Sequence, residues 1–153
     1  MLIRSAITED APRISELVTS IAQEHIAATL SDAGLRHLLS GMSVEATRDR
    51  LSQGYKFFVA NEGEEMIAIA AIRLPSHLYY LFVRTAYQRM GIGHKLWQHA
   101  RNWSVENFPA PLITVNSSLN AVAAYQRMGF RISGSIQELQ GVRYQPMIWE
   151  KLP

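Results

Sequence analysis

The chain has 153 residues, of which 48% are hydrophobic and 18% charged, and its formal net charge is +2. This length suits one compact domain over residues 1–153, and the composition excludes a disordered chain. The few excess basic residues are scattered along the chain, whereas those of a nucleic-acid-binding protein are clustered. The absence of cysteine excludes disulfides, thiolate metal sites and cysteine nucleophiles.

The N-terminal residues lack the basic and apolar regions of a signal peptide. No stretch approaches the roughly 18 apolar residues that a membrane-spanning helix needs. We therefore expect a cytoplasmic protein with neither a membrane nor a nucleic acid as its partner.

The first third of the chain predicts one strand and two helices. Residues 2–7 alternate weakly, as a strand does, and Thr8 begins a helix that we expect to reach about Ala28. Residues 29–42 give a mixed signal, typical of a loop or a short helix. Ser43 caps a second helix, which Gly54 ends.

Three strands follow. Residues 55–60 and 66–73 are rich in aromatic and aliphatic side chains and flank a turn, which predicts a hairpin. Residues 77–83 form a nearly continuous apolar run, as expected of a central strand buried on both faces.

The second half predicts a strand-helix-strand crossover. A helix begins at Gly91 and runs to about Asn107, and residues 108–111 stop it because they contain two prolines. Residues 112–116 form a strand, Asn120 caps a helix that ends at Gly129, and residues 130–133 and 142–151 are closing strands. The order indicates a mixed α/β fold.

The first chemical signal is the segment Gln88–His94, which lies between the apolar strand and a long helix. A helix N-terminus presents unpaired N–H groups, and glycines at 91 and 93 let an anion approach them, which favours a phosphate site. Leu96 stands where the dinucleotide fingerprint requires a third glycine, and the two glycines are too close for a P-loop. Capping glycines without a ligand are the alternative interpretation.

The second signal is the segment Asn120–Phe130, with Tyr125 in the middle of the predicted helix. A buried tyrosine is most often a core residue whose hydroxyl bonds to the backbone. Both segments together, however, resemble the two signatures of the GNAT superfamily of N-acetyltransferases. The first signature is matched by Gln88, Gly91 and Gly93, and the second by Asn120, Ala121, Tyr125, Gly129 and Phe130.

The resemblance implies a GNAT-like α/β domain whose mixed, mostly antiparallel sheet has about six or seven strands, is flanked by about four helices and is splayed at its central strands. It also implies acetyl-CoA as co-substrate. The diphosphate of the cofactor would rest on backbone amides of the loop, and its pantetheine arm would lie along the central strand. The implied cofactor-binding residues are Leu81, Phe82, Val83, Gln88, Arg89, Met90, Gly91, Ile92, Gly93, His94 and Asn120.

The resemblance further implies direct attack of a primary amine on the thioester. Tyr125 is the candidate proton donor to the leaving thiolate, because a phenol and a thiolate have comparable basicity. No general base stands out. His77, which we place on one side of its strand with Tyr79, Leu81 and Val83, could face the cleft beside the substrate or be a histidine at the surface end of the strand. Without a carboxylate on residues 114–118, a water relay to a distant acid is expected, with Asn116 or Ser117 as its polar wall.

Other groups have two interpretations each. Glu24 and His25 could border the acceptor pocket or be solvated, and Tyr79, Tyr80 and Tyr144 could line it, although at least one of them is expected to be core. The stretch Tyr144–Met147 resembles the final strand of many relatives, where it helps to wall the substrate site. No His, Asp or Glu cluster has metal-ligand spacing, so no metal is expected.

We therefore expect an N-acetyltransferase acting on a small-molecule or peptide amine, as a monomer or homodimer. Two alternatives stay open: a non-catalytic acyl-CoA-binding or regulatory module, and an interaction domain with a phosphate-binding loop. The lack of an obvious base favours the first of these.

Overall fold

A computed structural model describes residues 1–109 and 112–152, so Ala110 and Pro111 of the predicted helix stop lie outside the described residues. The described residues form eight β-strands and five α-helices. In chain order these are β1 Leu2–Ser5, α1 Ala11–His25, α2 Asp32–Ser40, α3 Val44–Ser52, β2 Tyr55–Glu62, β3 Glu65–Arg73, β4 His77–Val83, α4 Ile92–Asn107, β5 Leu112–Ser117, α5 Val122–Arg127, β6 Arg131–Ile132, β7 Gln137–Leu139 and β8 Val142–Glu150.

The strands form one mixed sheet, which confirms the predicted α/β class. Their order is β1-β2-β3-β4-β5-β8-β6, and β7 pairs with β8 at the margin. Every pairing is antiparallel except β4 with β5, which is parallel because α4 forms the crossover between them.

Apolar side chains cover both faces of the sheet. On one face, Leu96 and Trp97 of α4 pack against Leu78 of β4 and Ile113 of β5. On the other face, α1 contributes a stripe whose period matches a helix, made of Ile14, Leu17, Val18 and Ile21. No helix within the described ranges is long and apolar enough to cross a membrane.

The sheet is splayed at β4, as predicted. Ala71 of β3 lies opposite Tyr80, whereas the next residue, Ile72, lies opposite Leu78, so Tyr79 is an additional residue in β4. This β-bulge places Tyr79 and Tyr80 in the same apolar cluster on the α1 face. Beyond Leu78, β4 no longer pairs with β5.

Two helix starts differ from the sequence prediction. Asn120 does not cap α5: a 3-10 turn covers Leu119–Ala121, α5 begins at Val122, and the Asn120 side chain accepts a hydrogen bond from Ser118 Oγ at 2.9 Å. Likewise, a 3-10 turn covers Thr8–Asp10 ahead of α1, and α1 ends at His25 rather than near Ala28. Local hydrogen bonds of short polar side chains compete with the helix at both places.

One element decides between two predicted alternatives, and another exceeds the predicted set. Residues 32–40, predicted as a loop or short helix, form α2, whose N-cap Ser31 accepts a hydrogen bond from the Gly34 amide at 3.0 Å. Residues 137–139 form β7, which pairs with residues 142–144 of β8. Ser43 caps α3 as predicted, because its hydroxyl accepts from the Ala46 amide at 3.1 Å.

Candidate active site

A V-shaped gap opens between β4 and β5. The two strands pair only at His77 with Thr114 and at Leu78 with Val115, which form the vertex. A hydrogen bond of 2.7 Å joins His77 Nδ1 and Thr114 Oγ1 across this vertex. The rest of β4 therefore has no strand partner on the β5 side among the described residues.

The peptide groups of Leu81 and Val83 face this gap. The Arg84 amide donates to the Ile67 carbonyl of β3 at 2.8 Å, and Val83 lies opposite Ala68. Hydrogen-bonded and non-hydrogen-bonded pairs alternate in an antiparallel ladder, so the N–H and C=O groups of Leu81 and Val83 point away from β3. The edge of β4 can thus hydrogen-bond an extended ligand, as an added strand would.

The first turn of α4 provides a second set of free donors. Gly91 occupies the N-cap position with φ 78°, and no side chain caps the helix. The amides of the first turn, including those of Ile92 and Gly93, have no intrahelical partner. A Cβ at Gly91 would meet no heavy atom within 4 Å, so the turn is open to a ligand.

This turn lies beside the end of β4. A Cβ at Gly93 would be 3.5 Å from Val83 Cγ2 and 3.9 Å from Met128 Cε. Gln88, a predicted cofactor residue, donates a hydrogen bond from its side-chain Nε2 to the Val83 carbonyl at 3.0 Å. Its side chain therefore connects the loop to β4. The open turn and the open strand edge are therefore parts of one continuous surface.

Within the segment Gln88–His94, the side chains of Arg89, Met90 and His94 are exposed. Arg89 adopts a left-handed φ of 64°, unusual for a residue with a Cβ. Met90 is 64% exposed, and His94 Nε2 lies 3.1 Å from Gln98 Nε2 on the next helical turn. Asn120, another predicted cofactor residue, is likewise exposed, and its side chain accepts a hydrogen bond from Ser118 Oγ.

Tyr125 lies on the α4 face of the gap. Its half-buried ring packs against the core together with Val122 and Met128, which are one helical turn away on either side. Burial raises the pKa of the Tyr125 hydroxyl above its usual range. The phenol consequently stays protonated through the neutral pH range and can act as a hydrogen-bond donor.

On the opposite face, β5 and β8 present a neutral surface. Ile113, Val115 and Met147 face α4, so by strand alternation the residues between them face the other way. We call this surface the acceptor face; its residues are Thr114, Asn116, Tyr144, Pro146 and Ile148. The five include no Asp, Glu, Lys, Arg or His.

The bulge corrects one prediction about His77. His77 and Tyr79 do not share a side with Leu81 and Val83, because the additional residue reverses the alternation: Tyr79 packs on the α1 face, whereas Leu81 and Val83 pack on the α4 face. Burial, with a smaller contribution from Arg73, lowers the pKa of His77 to about 4. The imidazole is therefore neutral at physiological pH.

Two residues that were candidates for the acceptor site, Ser117 and Tyr80, are buried. The Ser117 hydroxyl donates to the Ser118 carbonyl at 2.7 Å, which removes it from the predicted polar wall. Tyr80 is the core member of the three tyrosines, with 7% exposure, whereas Tyr79 and Tyr144 are half-buried.

Glu24 and His25 join the end of α1 to the turn after β4. Thr85 Oγ1 donates to Glu24 Oε2 at 2.7 Å, and His25 Nε2 lies 2.9 Å from the same Thr85 oxygen. Because the hydroxyl hydrogen is directed to Glu24, His25 is the donor in the second bond. Sequence reasoning missed Thr85 and Thr114, since a lone threonine carries no signal of its partner.

In residues 1–109 and 112–152, no group of three or more His, Asp or Glu side chains is arranged to hold a metal ion.

The matches to known proteins cover most of the chain. The sequence model of the acetyltransferase (GNAT) domain matches residues 26–151. None of the curated proteins matches the sequence significantly.

Solved structures show the same fold at low identity. A GCN5-related N-acetyltransferase from Rhodopseudomonas palustris has a TM-score of 0.82 and 18% identity, over 97% of this chain and 94% of the other. The PaiA N-acetyltransferase from Thermoplasma acidophilum, in complex with coenzyme A, has a TM-score of 0.82 and 14% identity, over 97% and 98%. An aminoglycoside 6'-N-acetyltransferase complexed with coenzyme A has a TM-score of 0.72 and 12% identity, over 100% and 98%.

Proposed function

This chain belongs to the GNAT family of acetyltransferases, and we propose that it transfers an acetyl group from acetyl-CoA to a primary amine by direct attack. The observation that carries the proposal is the shared position of two unpaired donor sets. The open turn at Gly91 and the free edge of β4 meet where Gly93 packs against Val83. Two similar folds were solved with coenzyme A, which supports this choice of ligand.

The cofactor fits both donor sets. The diphosphate would accept hydrogen bonds from amides of the segment Arg89–His94, where the positive end of the helix dipole adds to the attraction. The pantetheine arm would bond to the peptide groups of Leu81 and Val83, and Phe82 would space them. Asn120 and Met90 would border the arm and the loop.

The reaction needs a polarised carbonyl and a protonated leaving group. A backbone N–H at the edge of β4 would stabilise the oxyanion that forms when the amine nitrogen attacks the thioester carbon. As the carbon–sulfur bond breaks, the Tyr125 hydroxyl would donate its proton to the thiolate. The raised pKa of Tyr125 keeps the hydroxyl protonated, so it can donate a hydrogen bond to the developing thiolate. It also makes the phenol a weaker acid, so after proton transfer the phenolate would regain its proton from water.

The amine would approach across the acceptor face, which includes Asn116 and which His77 and Tyr79 border. His77 is a poor base, because its pKa is about 4. Residues 114–118, at the end of β5 and directly after it, contain no carboxylate, so the proton of the amine would leave through water. The same observation favours the second candidate, a non-catalytic acyl-CoA-binding module.

The experiment has two readouts. At 100 times its Kd, acetyl-CoA stabilises the native state by about 2.7 kcal/mol, which raises Tm by about 5–10 °C for a chain of this size. Thiol release from acetyl-CoA with a panel of primary amines measures turnover. Stabilisation without turnover supports the binding module, and absence of both contradicts the proposal.

A further inference from the structure

The turn between β7 and β8 packs directly against the start of α2. A Cβ at Gly141 would lie 3.3 Å from Ser31 Oγ and 3.6 Å from Gly34 Cα. Conversely, a Cβ at Gly34 would lie 3.4 Å from the Gln140 carbonyl oxygen. The two backbones touch because both contact positions are glycine.

This contact joins the two halves of the splayed sheet. β8 belongs to the β5 half, since Gln145 pairs with Ser117, and residues 142–144 continue past the end of β5 towards the open end of the gap. α2 belongs to the other half, because it follows α1, which packs on β3 and β4. The hairpin therefore crosses the open end of the gap.

The hairpin crosses on the side of the acceptor face. Tyr144 belongs to both structures: it pairs with Gln137 in the hairpin and lies on the same face of β8 as Pro146 and Ile148. The acceptor face is consequently bounded by the vertex His77–Thr114 at one end and by the hairpin at the other.

We infer that the hairpin, residues 137–144, is a closed strap that limits the acceptor to small-molecule amines; this rests on the proposed function. A lysine on a folded protein would need the strap to lift, whereas a small amine passes beside it. The neutral acceptor face suits such a guest, since none of its residues is a carboxylate that would stabilise the ammonium form of the amine over its nucleophilic form.

A disulfide tests whether the strap is closed in solution. The chain has no cysteine, so Ser31→Cys with Gly141→Cys introduces the only pair, and the 3.3 Å between the Gly141 Cβ position and Ser31 Oγ suits a disulfide. A cysteine at Gly141 adopts φ 83°, a strain that the single-cysteine control shares, and Ser31→Cys removes the α2 cap, so urea unfolding of the reduced double variant first establishes that it is folded. The control is Gly141→Cys alone. We expect oxidation to form the bond within one chain and to leave turnover of ethanolamine, histamine, glycinamide or spermidine within about threefold of the reduced form.

Failure of the bond to form overturns the strap, as does a loss of more than about tenfold in turnover of the small amines on oxidation, because the strap would then have to open. If the bond forms but no form of the protein acetylates any amine, the proposed function is contradicted. The inference that the acceptor is a small-molecule amine is then contradicted as well. Bond formation with retained small-amine turnover supports the inference.

A larger side chain at Gly34 tests whether the strap selects acceptors by size. Gly34 lies inside α2 without a positive φ, and a Cβ there would lie 3.2 Å from the cap oxygen Ser31 Oγ and 3.4 Å from the Gln140 carbonyl oxygen. Gly34→Gln therefore crowds both, and since the Gln140 carbonyl belongs to the turn, that turn is pushed outward. The matched control is Ala33→Gln, whose position is exposed. We expect Gly34→Gln to raise kcat/KM for a lysine-containing peptide relative to the best small amine by about tenfold, with no change in the control. A wild-type protein that acetylates the peptide or hen lysozyme as efficiently as small amines contradicts the inference.

Discussion

The rings of Tyr125 and Phe130 meet edge to face, with 5.4 Å between their centroids. The Phe130 amide also donates to the Tyr125 carbonyl at 3.0 Å, so α5 and the strand that follows hold the phenol from two directions. Trp97 packs against the far side of this arrangement, 4.7 Å from Phe130. The candidate acid is thus supported by the core rather than by a hydrogen bond.

Replacing Tyr125 with Phe removes only the hydroxyl. If Tyr125 protonates the leaving thiolate, kcat should fall by about a hundredfold while the Kd for acetyl-CoA stays unchanged. Steady-state thiol release and calorimetry measure the two quantities. The control is Tyr87→Phe, whose exposed hydroxyl bonds to Glu65 outside the site. Equal kcat for wild type and Tyr125→Phe would assign the proton transfer elsewhere.

A methyl group at Gly91 should weaken cofactor binding beyond its effect on stability. Gly91→Ala places a Cβ at φ 78°, which costs about 1 kcal/mol, and sets a methyl group where the diphosphate would lie. Gly54→Ala has the same strain at φ 82°, with equally open surroundings, in the turn before β2. We expect both to lose similar stability in urea, but only Gly91→Ala to raise the Kd for acetyl-CoA, by about tenfold. A similar Kd in both variants argues against diphosphate binding at this turn.

His77 should make the native state sensitive to acid. Its folded pKa of about 4 lies below the ordinary value of 6.5, so the unfolded chain binds the proton more readily. Stability from the neutral imidazole is complete above pH 6.5 and is lost as the pH falls towards 4. Because the ring is only partly buried, we expect a loss of about 1–2 kcal/mol.

Urea unfolding at a series of pH values measures this dependence. In His77→Gln the slope between pH 6.5 and 4 should decrease, whereas His37→Gln, on the exposed side of α2, should retain it. An unchanged slope in His77→Gln contradicts the assignment.

The first turn before α1 depends on one ion pair. Asp10 accepts two hydrogen bonds from Arg4, at 2.8 and 2.9 Å, and one from the Ile7 amide at 2.8 Å. Asp10→Ala should cost about 2–3 kcal/mol in urea unfolding, because it leaves a partly buried amide and guanidinium unpaired. Asp49→Ala, at an exposed position of α3, should cost far less.

The Arg4 hydrogen bond lowers the pKa of Asp10. Its contribution to stability is therefore complete above the ordinary carboxyl pKa of 3.8 and declines as the pH falls below that value. Equal effects of Asp10→Ala and Asp49→Ala at neutral pH would show that the pair contributes little.

The sequence predicted those parts of the fold that local chemistry specifies. The β4 bounds agree because residues 77–83 form one uninterrupted apolar run, and Ser43 caps α3 because a hydroxyl at that place needs no distant partner. Gly91 could be placed at a helix start for the same reason.

The rest depends on contacts between distant residues. The bulge at Tyr79 follows from the register of β3 against β4, which alternation within β4 alone does not reveal, so the prediction that Leu81 and Val83 share a side with His77 is wrong. β7 has only exposed residues and is a strand because β8 returns beside it. The contact of Gly141 with Gly34 joins residues over a hundred positions apart.

Backbone hydrogen exchange, measured by NMR with and without saturating acetyl-CoA, tests the central claim most directly. The two donor sets should respond together: the amides of Leu81 and Val83 at the β4 edge, and those of Ile92 and Gly93 at the α4 start, should exchange more slowly in the complex. Unchanged exchange at all four amides, with protection appearing elsewhere, would contradict the account.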